Sequence, residues 1–334
     1  MVWLKFAASL IIILFAGTRL ARYGDAIAEK TGLSRMWIGL VLLAAITSMP
    51  ELVTGVSAVA LVKLPDLALG DLLGSCLFNL LILAVLDILY RPAPILSKLS
   101  SSHVVSAGMG IVLVAVVAGN IFFGGRFSGL GPGWVGASSI IIAALYILGM
   151  WWVFRYERRC QPQTVEAISP RYKELSARTV YLRFGLAAAA VIGAGIWLSF
   201  IGDELAITYQ WHASFVGSLF LAISTSMPEL VVTIAALRMG AIDMAVADIL
   251  GSNMFNIAII GPVDLAYKPG PLLALVSNSH LTTAWMTMVM SALVILGLRF
   301  PRKGRARSIG WYTPVLIGLY IFGISALFRG TGLG

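Results

Sequence analysis

The chain has 334 residues, of which 59% are hydrophobic and 12% are charged, and its mean hydropathy is +0.92. A soluble protein could not cover that much apolar surface with so few charges. The formal net charge is +9, but the Lys and Arg residues lie in short loops between apolar segments, where they act as orientation signals. These numbers predict an integral membrane protein surrounded by lipid, and they argue against nucleic-acid binding.

Ten apolar segments follow one another along the chain, and each is expected to be a helix because lipid offers no partner for backbone amides. The first resembles a signal peptide, but Arg19 and Arg22 stand where a cleavage site would be, so a retained helix is expected. The predicted fold class is therefore an all-α integral membrane protein. The segments lie near residues 3–20, 34–62, 67–90, 103–123, 134–154, 180–201, 213–238, 243–267, 280–298 and 310–329.

A hydrophilic stretch with charges of both signs and two prolines separates the first five segments from the last five. It predicts a first transmembrane repeat at residues 1–154 (TM1–5), a linker at residues 155–179, and a second transmembrane repeat at residues 180–334 (TM6–10).

Two sequence motifs occur once in each half. Residues 47–53 (TSMPELV) recur unchanged as residues 225–231, and residues 71–79 (DLLGSCLFN) match residues 248–256 (DILGSNMFN). Because each repeat has an odd number of helices, the second copy would enter the membrane in the opposite direction to the first. Ten transmembrane helices in two inverted five-helix repeats are therefore expected. Most of the 24 Lys and Arg residues fall on the linker's side. This predicts a multi-pass protein of the plasma (inner) membrane with a cytoplasmic linker and both termini outside.

The first motif places an acidic residue deep within an apolar run in each half. An ionised carboxylate such as Glu51 or Glu229 costs about 2.5 to 3.5 kcal/mol at that depth on insertion scales. Pro50 and Pro228 precede them and break or kink each helix, which frees backbone carbonyl oxygens. The functional interpretation is a cation site, and the structural alternative is a kinked helix with a protonated glutamate.

Side chains with neutral oxygen atoms accompany each glutamate. Hydroxyl groups stand three and four residues before it, and the second motif carries a serine and an asparagine one turn apart. Calcium and sodium take hard oxygen ligands, whereas zinc or copper would favour His and Cys, so calcium or sodium is expected. The candidates are Thr47, Ser48, Ser75, Asn79, Thr225, Ser226, Ser252 and Asn256.

Charge neutralisation indicates how such a site would work. Two carboxylates need one divalent cation, two protons, or two or more sodium ions, and without them unpaired charge would remain at low dielectric. A carrier that closes only when loaded must exchange one cation set for another, which predicts antiport; a channel is an alternative. An intramembrane hydrolase built on Ser75 or Ser252 with His103 or His280 is disfavoured because the histidines begin new helices, so no enzyme activity is expected.

The duplicated motifs resemble the alpha-repeats of the sodium/calcium exchanger branch of the cation/calcium antiporter superfamily, over nearly the whole chain. That family's signature is Gly-Thr-Ser-x-Pro-Glu followed by Gly-Ser-Asn-x-x-Asn or Asp. Here the copies read Ile-Thr-Ser-Met-Pro-Glu with Gly-Ser-Cys-Leu-Phe-Asn, and Ser-Thr-Ser-Met-Pro-Glu with Gly-Ser-Asn-Met-Phe-Asn. The resemblance implies ten transmembrane helices and one central site that binds calcium and sodium alternately. The ligands it implies are Thr47, Ser48, Glu51, Ser75, Asn79, Thr225, Ser226, Glu229, Ser252 and Asn256.

The motifs depart from the family's pattern at several positions. Ile46 and Ser224 replace a glycine, which reduces backbone freedom at the helix break. Asn256 stands where some relatives carry Asp, which bears on sodium stoichiometry and potassium dependence. Asp71 and Asp248 stand where an uncharged residue is usual. They are candidates to titrate and couple protons, or alternatively to cap or hydrogen-bond helix ends.

The expected function is therefore a secondary active antiporter that exchanges calcium for sodium by alternating access at a midplane site built from Glu51 and Glu229. The alternative is a proton-coupled exchanger of calcium, magnesium or manganese. No cofactor is expected besides the transported Ca²⁺ and Na⁺, and H⁺ in the alternative. The expected partners are membrane lipid and inorganic cations, with no obligatory protein partner.

Overall fold

The computed structural model describes residues 2–90, 92–124, 131–160, 171–208, 221–300 and 309–330, and the regular elements in these ranges are helical. Eight stretches of the described chain are long and apolar enough to cross a membrane, and a further apolar helix, Tyr312–Ala326, is shorter. The all-helical prediction is confirmed. The count of ten helices stays a prediction, because the segment expected at 213–238 begins outside the described residues.

The α-helices form two sets, one on each side of residues 161–170. The first set comprises α1 (Val2–Thr31), α2 (Arg35–Trp37), α3 (Ala44–Thr47), α4 (Met49–Ser57), α5 (Pro65–Leu89), α6 (Ser102–Phe122) and α7 (Ala137–Cys160). The second set comprises α8 (Ala177–Thr208), α9 (Ala222–Thr225), α10 (Met227–Arg238), α11 (Ile242–Ala258), α12 (Ile260–Ala266), α13 (His280–Arg299) and α14 (Tyr312–Gly330).

The helix that carries each acidic motif is broken at one residue. α3 ends and α4 begins around Ser48, whose backbone has φ −88° and ψ 9°, and α9 and α10 flank Ser226 with the same two angles. Pro50 and Pro228 occupy the first turn of the helix that follows, where a missing amide proton leaves no hydrogen bond unmade. Each break therefore places its glutamate in the first turn of the helix that follows.

Close backbone contacts bring the two sets of helices together. A Cβ atom on Gly39 would lie 2.3 Å from the carbonyl oxygen of Met244 in α11, and one on Gly251 would lie 2.2 Å from that of Leu40. Only glycine permits this approach, because any other side chain would overlap the facing backbone, and small residues let membrane helices pack closely. Gly217, the residue of the second half that corresponds to Gly39 in the duplication, lies outside the described residues. The contacts align the stretch before α3 with the centre of α11.

Two histidine–aspartate contacts tie the first turns of α5 and α11 to neighbouring helices. His103 at the start of α6 lies 2.9 Å, Nε2 to Oδ1, from Asp243 in α11. His280 at the start of α13 lies 2.9 Å, between the same atoms, from Asp66 in α5. Since α5 and α11 carry the second motif, these contacts fix where its polar side chains sit.

Two buried aspartates hold the loops that follow the same helices. Asp87 near the end of α5 accepts a hydrogen bond from the amide of Ile95 at 2.7 Å. Asp264 in α12 accepts hydrogen bonds from the amides of Leu272 at 2.6 Å and Gly136 at 2.8 Å. Carboxylates that accept several backbone hydrogen bonds are stable when buried, so these two have a structural role.

The predicted linker, residues 155–179, is described only at its two ends. α7 continues through the predicted boundary to Cys160, and α8 begins at Ala177. Between them the described part docks on α1: the amide of Arg171 donates to Glu29 at 3.0 Å, and the hydroxyl of Tyr172 donates to Asp25 at 3.2 Å. The second end of the linker is thus attached to the first half of the chain.

Replacing Gly39 with alanine is expected to destabilise the protein. The added methyl group would overlap a backbone oxygen that cannot move without shifting α11, which should cost roughly 1–3 kcal/mol of the free energy of unfolding. Thermal denaturation of the purified protein in detergent would measure the loss. Gly108→Ala is the matched control, because no heavy atom lies within 4 Å of the added methyl group. Equal melting temperatures for the two variants would contradict the packing argument.

Candidate cation site

Four acidic side chains lie inside the helical bundle. Glu51 is on α4, Glu229 on α10, Asp71 on α5 and Asp248 on α11, and each is at most 1% exposed. α4 packs against α5, and α10 packs against α11. The two motifs of each half therefore meet in one buried region, which also contains the motifs of the other half.

Each glutamate is bound by a serine from the opposite half of the chain. The hydroxyl of Ser48 donates to Oε1 of Glu229 at 2.9 Å, and the hydroxyl of Ser226 donates to Oε1 of Glu51 at 3.1 Å. The two donors are the residues at the helix breaks, whose identical backbone angles turn them toward the other motif. This reciprocal pair of hydrogen bonds joins the two halves within the region that contains the four acids.

Threonines make a second set of contacts across the halves. Oγ1 of Thr225 lies 3.2 Å from Oδ1 of Asp71 and 3.3 Å from the hydroxyl of Ser75. Oγ1 of Thr47 lies 3.4 Å from the hydroxyl of Ser252 and 3.5 Å from Oδ1 of Asp248. Distances near 3.5 Å are at the limit of a hydrogen bond, so these hydroxyls adjoin the acids without fully satisfying them.

Several buried oxygen atoms in this region have no hydrogen-bond partner within the described structure. They include Oε2 of Glu51, Oε2 of Glu229, and the side-chain oxygens of Asn79 and Asn256. Buried polar atoms are nearly always paired, because leaving one unpaired costs about 1 to 3 kcal/mol or more. These oxygens supply the hard donors that a sodium or calcium ion requires.

Repulsion between the acidic side chains adds to the cost of the unpartnered oxygen atoms. Glu51 lies close enough to Glu229 and Asp71 for their negative charges to act on it, and Glu229 acts in the same way on Asp248. No ion pair found among the described residues involves Glu51, Glu229 or Asp248. The arrangement therefore favours cations over any other ligand class.

The residues expected from the sequence are all buried within this region. Hydrogen bonds and hydroxyl contacts connect eight of the ten expected ligands. Asn79 and Asn256 lie one helical turn after Ser75 and Ser252, and their side chains have no hydrogen-bond partner within the described structure. No group of three or more His, Cys, Asp and Glu side chains able to hold a metal occurs in the described ranges. Any cation bound here must use hydroxyl and amide oxygens as well as carboxylates.

One polar contact was not anticipated from the sequence. The hydroxyl of Thr54 donates to Oδ2 of Asp71 at 2.8 Å. Thr54 lies one turn beyond Glu51 on the same helix face, and that spacing could have indicated from the sequence that Thr54 lies beside the site. The repeated motif ends at Val53, so the duplication did not mark it.

A family model for the sodium/calcium exchanger protein matches residues 1–155 and 179–329, which leaves out little more than the linker. The chain belongs to this family. It is a multi-pass integral membrane protein, as the eight apolar spans also indicate.

Relatives and solved structures agree with this assignment. The exchanger is 25% identical over 326 residues to inner membrane protein YrbG of Escherichia coli, covering 92% of this chain and 96% of the relative. It is 31% identical over 144 residues to the sodium/calcium exchanger MaX1 of Methanosarcina acetivorans, covering 42% of this chain and 38% of that protein. The solved structure of the sodium-calcium exchanger NCX_Mj matches with a TM-score of 0.71 at 20% identity, covering 96% of both chains. That match shows a shared fold.

Ser48→Ala and Ser226→Ala are each expected to destabilise the exchanger. Each removes the hydroxyl that donates to the glutamate of the other half, and leaving a buried acceptor without its donor costs about 1–3 kcal/mol. Melting temperatures measured in detergent without sodium or calcium would report the loss. Ser97→Ala is the control, because Ser97 donates to the carbonyl of Pro94 within its own loop. Losses no larger than the control's would argue against the reciprocal contacts.

Proposed function

We propose that the exchanger is a secondary active antiporter that exchanges calcium for sodium by alternating access at a site containing Glu51 and Glu229. The observation that carries the proposal is the reciprocal bonding of Ser48 to Glu229 and of Ser226 to Glu51. It brings two buried carboxyl groups from opposite halves into one region, each with an unpartnered oxygen. Membership of the sodium/calcium exchanger family supports transport, and no enzymatic step is proposed.

The donor set supports calcium and sodium as substrates. Calcium takes six to eight oxygen ligands with flexible geometry, and carboxylate, hydroxyl and amide oxygens meet that need. Thiol and imidazole groups, which zinc and copper would favour, are absent from the proposed set. The proposed ligands are Thr47, Ser48, Glu51, Ser75, Asn79, Thr225, Ser226, Glu229, Ser252 and Asn256.

Charge balance supports exchange over one-way passage. The two glutamates, buried and repelling each other, are stable when one calcium ion or several sodium ions neutralise them. An uncompensated pair of charges would oppose closure of the surrounding helices, so the loaded forms are the ones that cross between the two faces. Coupling of the two ion fluxes follows from that restriction, with no cofactor and no obligatory protein partner.

The proposal includes the inverted architecture expected from the sequence. Equal backbone angles at Ser48 and Ser226, and matching breaks before α4 and α10, support two copies of one unit. Ten helices in two inverted repeats, residues 1–154 and 180–334, would place one copy of the motif toward each face. Both termini outside, and a cytoplasmic linker at residues 155–179 in the plasma (inner) membrane, follow from the distribution of basic residues.

Replacing either glutamate with glutamine should abolish sodium-driven calcium uptake. The change keeps the side chain's size but removes the charge that a calcium ion would neutralise. Purified protein in liposomes loaded with sodium would be diluted into sodium-free buffer containing radioactive calcium. Glu51→Gln and Glu229→Gln are expected to show background uptake.

Glu204→Gln serves as the control for those variants. Glu204 is exposed and pairs with Lys5 at the protein surface, so its substitution should leave uptake intact. Sodium-driven uptake that persists in both Glu51→Gln and Glu229→Gln would sink the proposed site. Calcium uptake by the unmodified exchanger that ignores the sodium gradient would sink the proposed coupling.

A second candidate function is proton-coupled exchange of calcium, magnesium or manganese. The presence of Asp71 and Asp248 beside the two glutamates favours it, because carboxyl groups at that depth exchange protons when no metal cation is bound. In this alternative, protons would take the place of sodium on the return step.

Independent gradients separate the two candidates. Calcium uptake should follow an outward sodium gradient at equal pH on both sides, and an outward proton gradient without sodium should drive little uptake. Asp71→Asn and Asp248→Asn would be tested in the same assay. Uptake driven by the proton gradient alone, and lost in these two variants, would favour the second candidate over the first.

A further inference from the structure

One of the positions at which the two halves differ lies directly after the first motif. Residues 47–53 and 225–231 are identical, but the residue that follows is Thr54 in the first half and Val232 in the second. Thr54 donates to Oδ2 of Asp71 at 2.8 Å. Val232 is fully buried and has no polar group to offer Asp248, the counterpart of Asp71. The substitution removes a hydrogen-bond donor from one half only.

Asp248 consequently lacks the support that Asp71 receives. Its Oδ2 atom has no hydrogen-bond partner within the described structure, although the side chain is fully buried. Its Oδ1 atom lies 3.5 Å from the hydroxyl of Thr47, at the limit of a hydrogen bond. That hydroxyl also lies 3.2 Å from the carbonyl of Leu43, and one proton cannot serve both acceptors well.

Other oxygen atoms surround this unsupported carboxyl group. Thr47 contacts both Asp248 and the hydroxyl of Ser252, and Glu229 lies close enough for its charge to act on Asp248. Oε2 of Glu229 is likewise unpartnered. Two carboxylates and two hydroxyls therefore adjoin one another on the side of the second half, with no ion pair found for either acid in the described ranges.

We propose that Asp248 is a sodium ligand and that Asp71, its counterpart, is not. The sodium ion would contact Oδ2 of Asp248 together with Glu229, and the hydroxyls of Thr47 and Ser252 would complete its neutral oxygen donors. This inference rests on the proposed exchange function and assigns one of its sodium ions to a residue outside the family signature. This small set of oxygen donors suits a monovalent cation better than calcium, because calcium requires six to eight oxygen ligands.

The two aspartates differ in how their negative charge is stabilised. Asp71 has a close hydroxyl donor in Thr54, so its negative charge is stabilised by the protein itself. Thr225 adds little to the difference, because its hydroxyl is shared with the carbonyl of Leu221 at 3.1 Å, as that of Thr47 is shared with the carbonyl of Leu43. Asp248 depends on an incoming cation for comparable stabilisation. Sodium affinity thus depends on the aspartate of the second half, although both halves carry an aspartate at the same position.

Ligand-induced thermal stabilisation tests the proposal without requiring transport. The purified exchanger in detergent would be melted over a series of sodium concentrations, and separately over a series of calcium concentrations without sodium, to find each midpoint of stabilisation. Asp248→Asn is expected to raise the sodium midpoint about tenfold or more, and to raise the ratio of the sodium midpoint to the calcium midpoint. Asp71→Asn should raise the sodium midpoint by less than about threefold.

A second variant tests the same idea while keeping the aspartate. Val232→Thr restores to the second half the hydroxyl that the first half has, and the new donor would compete with sodium for Oδ2 of Asp248. Its sodium midpoint should rise about threefold or more, with a smaller change in the calcium midpoint. Val59→Thr is the matched control, because Val59 is also fully buried in a helix but lies outside the motifs.

Three results would overturn the inference. The first is an equal rise of the sodium midpoint in Asp248→Asn and Asp71→Asn. The second is a parallel rise of the sodium and calcium midpoints in Asp248→Asn, which would indicate general damage to the site. The third is an unchanged sodium midpoint in Asp248→Asn combined with an altered pH dependence, which would make Asp248 a proton carrier. Failure of sodium-driven calcium uptake in liposomes is a separate result and would count against the proposed function itself.

Discussion

The structure depends on two buried carboxylates that are held by the opposite halves of the chain. Glu51 accepts a hydrogen bond from Ser226, and Glu229 accepts one from Ser48. Neither glutamate has a basic partner among the described ion pairs. Buried carboxyl groups without basic partners are costly unless cations arrive, and the surrounding helix breaks and close contacts bring oxygen donors to them.

Helix breaks and close packing both bring the serines of one half to the glutamates of the other. An unbroken helix would direct the hydroxyl of Ser48 to its own backbone, as happens for Thr233, which donates to the carbonyl of Glu229 at 2.7 Å. The break at Ser48 turns the hydroxyl toward the other half. Gly39 and Gly251 let the two halves approach until hydroxyls from one reach carboxyls from the other. The polar contacts and the packing therefore require each other.

The duplication of the sequence explains why many contacts occur twice. Positions at which the two copies differ indicate where the halves differ in function. The helix breaks, the His–Asp contacts and the loop-binding aspartates all occur twice. Thr54 and Val232 differ, so one aspartate is supported by the protein and its counterpart is not. A symmetric scaffold with asymmetric acids can bind two kinds of cation at overlapping positions, which exchange requires.

The sequence by itself determined the membrane class, the duplication and the two acidic motifs, because composition and local repetition carry that information. It also predicted the hydroxyl and amide side chains that are proposed as ligands, since their spacing within each motif is a local property. Tertiary structure decided which atoms meet: the exchange of serines between halves, the support of Asp71 by Thr54, and the isolation of Asp248. Contacts between residues far apart in the chain depend on packing, and periodicity within one segment does not contain them.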